Sequence, residues 1–167
     1  MIFLLDADTL ITGNRQSYPI QRFPIFWDWL LHQGTLGLVK IPTEQFEEVT
    51  SGRGNLVDWL SAEETKEALL LREEADKSLV ARVTLEGYGD LNEDEIETVG
   101  RDPFLVSYGL ADLAQRTVVT FEVSAPAKQR ANRKVPDVCA HFGVPSCNLF
   151  KLIDVLDFTT GWQRPVG

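Results

Sequence analysis

The sequence predicts an α/β fold built on a parallel sheet, and three observations carry that prediction. Short apolar, β-branched runs alternate along the chain with longer amphipathic stretches. That alternation is the signature of strand–helix–strand units joined by right-handed crossovers. No internal repeat or low-complexity linker interrupts it, so residues 1–167 read as one domain, large enough to bury a core. Finally, four carboxylates far apart in sequence, Asp6, Glu48, Asp102 and Glu122, each lie at a predicted strand end or helix start. In a parallel sheet those ends face one crevice, where ligands bind.

Each element has its own reason. Ile2-Phe3-Leu4-Leu5-Asp6 is an apolar strand closed by an acid. Residues 23–33 carry aromatic and aliphatic residues at helical spacing and stop at Gly34. The dense tryptophans and phenylalanines there read as core. Residues 36–41 form a second strand, and Pro42-Thr43 opens a helix that runs to about Thr50 and carries Glu48. Residues 54–60 read as a short helix packing Leu56, Trp59 and Leu60 inward. Residues 62–83 read as one long charged helix with a Leu69, Leu70, Val80, Val83 stripe. Residues 86–101 are acidic and turn-rich, a surface loop with room for one helical turn. Asp102 and Pro103 then provide an N-cap and a first helical residue for a helix over 103–115. Residues 117–121 are a strand, 135–142 a helix, 147–151 a last strand, and 151–157 a last helix.

Composition narrows the function classes. No apolar run is long enough to span a membrane. The N-terminus lacks a basic leader and reads as a strand rather than a signal peptide. Two cysteines, Cys139 and Cys147, are too few for a disulfide framework, and neither is at zinc-ligand spacing with His32 or His141. A reducing cytoplasm is the expected compartment. The net charge of −9 is uneven: residues 43–102 carry −11, residues 103–167 carry +2 and residues 1–42 balance. Lys128, Arg130, Arg133 and Lys134 cluster in the loop after Glu122. A solvated charged loop and an RNA-backbone contact both fit that cluster.

The four acids, clustered, would repel one another without a cation, and ligands that are all oxygen select Mg²⁺ or Mn²⁺. Asp8 adds a further carboxylate, and Thr120 places a hydroxyl at the same edge.

The order of these segments resembles the PIN-domain nucleases. Phe3-Leu4-Leu5-Asp6-Ala7-Asp8 looks like their opening motif, Gln45-Phe46-Glu47-Glu48-Val49 like the second, Arg101-Asp102-Pro103-Phe104-Leu105 like the third, and Val118-Val119-Thr120-Phe121-Glu122 like the fourth. The resemblance spans about residues 1–150, and the stretch from Lys134 to Val144 resembles an uncharacterised bacterial PIN-like subfamily. It implies a three-layer α/β/α sandwich with a central parallel β-sheet. It also implies divalent-metal-dependent cleavage of RNA, often by the toxin of a type II toxin–antitoxin pair. Asp6, Glu48, Asp102 and Glu122 then become catalytic metal ligands, and an antitoxin and a second copy of the chain become expected partners. The chain departs from the pattern in three places. Glu122 stands where aspartate is commoner, and Asp8 where a neutral polar residue is usual. The further acid after the fourth motif is missing, with Asp137 the candidate to replace it.

Two other readings use the same residues. Asp6-Ala7-Asp8-Thr9-Leu10 also resembles the aspartate nucleophile motif of haloacid-dehalogenase-type phosphatases. A PIN-like fold with a degenerate site would instead serve as a protein-interaction module.

Overall fold

The computed structural model describes residues 1–164. Its centre is a four-stranded sheet of order β2-β1-β3-β4, in which every pairing is parallel. The strands are β1 (Ile2–Leu5), β2 (Val39–Lys40), β3 (Arg116–Val119) and β4 (Ser146–Cys147). From β1 the chain moves outward to β2. It then crosses back to the other side of β1 to lay down β3 and β4. The order therefore reverses between β1 and β3, and their carboxyl ends flank the switch point where open α/β sheets bind ligands.

Strand alternation builds a separate core on each face. Phe3 and Leu5 point to one side with Val119, while Leu4 points to the other with Val118. The first face is covered by α1 (Ala7–Thr12), α2 (Pro24–Thr35), α3 (Thr43–Thr50), α4 (Asn55–Ser61), α5 (Glu63–Leu69) and α10 (Leu149–Val155). The aromatic run of α2 is core as expected: Phe26, Trp27 and Trp29 are all buried. The second face is covered by α7 (Glu93–Val99), α8 (Asp102–Leu110) and α9 (Val135–Phe142), with a π-helical turn over Val83–Tyr88. The result is a three-layer α/β/α sandwich. Among the described residues, no helix is long and apolar enough to cross a membrane.

Four local expectations are corrected. The long helix over 62–83 is broken. After α5 the chain runs extended, and Leu70 bridges Ile41 in parallel, extending the edge of the sheet beyond β2. Leu69 O and Leu71 N bond to Ile41 on either side. A new helix, α6 (Lys77–Arg82), starts where the Asp76 side chain accepts from Ser78 and Leu79 N–H. The exposed charges of 62–83 are the same in helix and strand edge, so they carry no information about the break. The acidic loop over 86–101 contains a full helix, α7, set by a reciprocal capping box between Asn92 and Glu95. Asp102 is the first residue of α8 rather than its cap. Arg101 holds the cap position, and no side chain caps that end. Glu48 lies near the end of α3, not in its first turn.

Close packing requires glycine on α8, as it does at Gly34 on α2. A Cβ at Gly109 on α8 would come 2.5 Å from Val144 Cγ1 and 3.2 Å from Val118 Cγ2, so only glycine lets α8 lie this close to β3.

Candidate metal centre

Asp6 follows β1 directly and is buried. Its backbone N–H donates to Val119 O, so the ends of β1 and β3 stay paired one residue past the strands. Thr9 Oγ1, on α1, donates to the same carbonyl at 3.0 Å. Thr120, just past β3, donates from Oγ1 to Asp6 Oδ2 at 2.8 Å, and its Oγ1 accepts from Glu122 N–H at 3.2 Å. The threonine two before the acid therefore orients Asp6 and fixes the turn that presents Glu122.

Glu122 Oε2 accepts from Val135 N–H at 2.7 Å, at the unsatisfied amino end of α9. Its Oε1 lies 3.7 Å from Lys134 Nζ. The extra methylene of glutamate over aspartate serves this reach to α9. Asp102 is partly buried at the start of α8. Glu48 is more exposed, and α3 is tied to the Asp102 segment by two residues that the motif reading passed over. Gln45, fully buried, donates from Nε2 to Arg101 O at 3.0 Å. The Arg101 guanidinium donates to Glu44 O at 2.6 Å and to Glu47 Oε2 at 3.0 Å. Nothing in the residue types announces this clamp, because it joins positions more than fifty apart.

The carboxylates act on one another electrostatically. Burial pushes the Asp6 carboxyl up to about 7; the Thr120 bond opposes this, and the charges of Asp8, Glu122 and Glu48 add to it. Asp102 is pushed up to about 8, by burial first, then by Asp6, Glu122 and Glu48, with Lys134 opposing. Glu48 also moves up through lost solvent, with Arg101 opposing and Asp8 adding. The four acids named from sequence thus share one field. Asp8 contributes to it from an exposed position where its carboxylate accepts from Thr12 Oγ1.

Asp137 and most of the basic loop are engaged by protein groups. Asp137 accepts from Ser124 Oγ and Ala125 N–H, and these bonds hold its carboxyl low. In the basic loop, Arg130 makes a two-point contact with Glu95, 2.8 Å on each arm, and donates to Asp90 O. Arg133 donates to Gly87 O at 2.6 Å, and Lys134 faces Glu122. Lys128 is exposed.

A divalent cation fits this site in donor chemistry. All donors are carboxylate oxygens, and burial first, then the neighbouring acids, pushes Asp6 up to about 7 and Asp102 up to about 8. A further sign is Tyr88, 3% exposed, whose hydroxyl has no hydrogen-bond partner and whose ionisation is suppressed by burial and by Asp102 and Glu122. Among the described residues, no group of three or more His, Cys, Asp or Glu side chains is already arranged to hold a metal ion.

The architecture is that of a Rossmann-like α/β/α sandwich, compatible with a PIN-like hydrolase scaffold. Residues 3–160 match the family described as Domain of unknown function (DUF4411), and the chain belongs to that family. No curated protein and no solved structure matches it.

Proposed function

We propose that this protein is a divalent-metal-dependent ribonuclease, acting in the cytoplasm as the toxin of a type II toxin–antitoxin pair. The observation that carries the reading is the shared field of Asp6, Glu48, Asp102 and Glu122 at the β1/β3 switch point. Mutually repelling, half-desolvated carboxylates are costly to keep, and a hard cation relieves that cost. Asp6 and Asp102 are the principal Mg²⁺ or Mn²⁺ ligands, with Glu48 and Glu122 completing the set. When bound, the ion supplies Lewis-acid activation of water and neutralises charge developing on phosphorus. The chain's own part is orientation. Thr120 fixes one oxygen of Asp6 and leaves the other free. The Gln45–Arg101 clamp sets Glu48 against Asp102. Lys134 offsets negative charge beside Glu122 as a phosphate approaches.

An interaction module with a degenerate site is the second reading, favoured by the departures from the nuclease pattern at Asp8 and Glu122 and by the missing further acid. One experiment separates the two. Labelled single-stranded RNA is incubated with the protein in Mn²⁺, Mg²⁺ or EDTA. Cleavage with either ion and none in EDTA is the expected result. Intact RNA in all three conditions favours the module, and turnover of a chromogenic phosphate monoester alone would point to a phosphatase.

A further inference from the structure

Glu48 faces two places. Besides joining the carboxylate field, it lines a separate cavity of about 310 Å³ between the end of α1 and the α3–α4 connection. Two arginines line the same cavity: Arg15, on the π-helical turn Gly13–Ser17 that continues α1, and Arg53, in the loop before α4. Both are exposed. Within the described residues neither guanidinium is paired, although acids outnumber bases 25 to 16 in the chain. Three cations of the basic loop differ, since Arg130, Arg133 and Lys134 are engaged with protein groups, which leaves only the single charge of Lys128 exposed there. The two walls of the cavity are fastened together. Asn14 donates from Nδ2 to Asn55 Oδ1 at 3.0 Å and accepts from Ile20 N–H at 3.0 Å. The cavity is apolar as well as basic, with Ile11, 38% exposed, on its lining.

From this arrangement we infer that the Arg15–Arg53 cavity is a nucleotide subsite that holds single-stranded RNA on the Glu48 side of the crevice. The inference rests on the ribonuclease reading and specifies where its substrate lies. Guanidinium forks match phosphate oxygens two at a time, and their planes also stack on bases. Single-stranded RNA offers both groups, because its bases can splay away from the backbone onto an apolar or guanidinium surface. In an acidic protein, a strand must enter where positive charge is still free. Arg15 and Arg53 provide that beside Glu48, whereas the arginines after Glu122 are tied to Glu95 and Gly87. A phosphate seated between the two guanidinium groups leaves the next stretch of backbone to run toward the carboxylates.

The test uses the full-length protein and the variant Arg15→Ala/Arg53→Ala. A fluorescent single-stranded RNA decamer is titrated in EDTA, so that cleavage cannot interfere, over a range of salt concentrations. The expected result is binding about tenfold weaker in the double variant. Its salt slope should be shallower by roughly 1.4, because two fewer phosphates are neutralised. Mn²⁺ affinity and the thermal midpoint should match the parent. Arg53→Lys should recover only part of the affinity, since it restores charge but not the fork. Equal affinity and slope in parent and double variant would overturn the inference while leaving the nuclease reading intact. Arginine-dependent binding by a parent that cleaves nothing in Mn²⁺ would sink the nuclease reading and uphold the subsite. A parent that binds no RNA in EDTA would overturn the subsite, and one that also cleaves none in Mn²⁺ would overturn both.

Discussion

Replacing Asp102 or Asp6 by asparagine is expected to abolish metal-dependent cleavage and, at the same time, to stabilise the metal-free protein at pH 8. The two effects share one cause. Each carboxylate is held where its charge is unwelcome until a cation arrives. Asparagine keeps the shape and, at Asp6, still offers an oxygen to the Thr120 hydroxyl. It removes the charge that the ion needs. Cleavage should fall on the order of a hundredfold or more, as expected when an anionic ligand is lost. Stability without metal should rise by about 2 kcal/mol per site, discounted for partial solvent access at Asp102. In a chain of this length that is several degrees in Tm. A lower Tm in both variants would mean that the carboxylates hold the fold together rather than strain it.

The second large effect is the response of stability to pH. Asp6 and Asp102 have folded-state values raised from 3.8 to about 7 and about 8. Between those limits the folded protein binds more protons than the unfolded chain. Stability therefore falls as pH rises, from about 4 up to about 8, and levels off above that. This is opposite to the usual salt-bridged carboxylate. A bound divalent ion satisfies the ionised forms, so it should remove most of the decline. Denaturant melts with and without Mn²⁺ at pH 5 and pH 8 check it. The ion should raise stability strongly at pH 8 and little at pH 5, where it competes with protons. A metal-free protein that is more stable at pH 8 than at pH 5 would contradict the account.

What the sequence made legible follows from where its signals are local. β1 is an apolar run and β3 a mostly β-branched one, each followed by a polar residue, and the alternation of β1 already divides Phe3 and Leu5 from Leu4. The acids at their ends were legible because strand ends in a parallel sheet converge. The break between α5 and α6 was hidden, because Leu70 serves a helix stripe and a sheet edge equally well. Its one local sign was Asp76 ahead of Ser78 and Leu79, a cap in the middle of an expected helix. The capping box of Asn92 and Glu95 was also readable, but its surrounding acidity resembled a loop. Asp102 before Pro103 has the residue type of a cap, yet it occupies the first helical turn and faces other carboxylates. The Gln45–Arg101 clamp, the unpartnered Tyr88 hydroxyl and the pairing of Arg130 with Glu95 depend on tertiary contacts with no sequence period. The engagement of Arg130 is hidden because Glu95 lies more than thirty residues earlier.

If Asp6, Glu48, Asp102 and Glu122 form one cation site, metal binding must release protons. Mn²⁺ is titrated calorimetrically at pH 7 in two buffers of different ionisation enthalpy. Saturable binding is expected, with release of roughly one to two protons per ion, since Asp6 and Asp102 must both ionise to hold it. The release should vanish in the Asp6→Asn/Asp102→Asn double variant. Absence of binding, or binding with equal heats in both buffers, would contradict a shared carboxylate site.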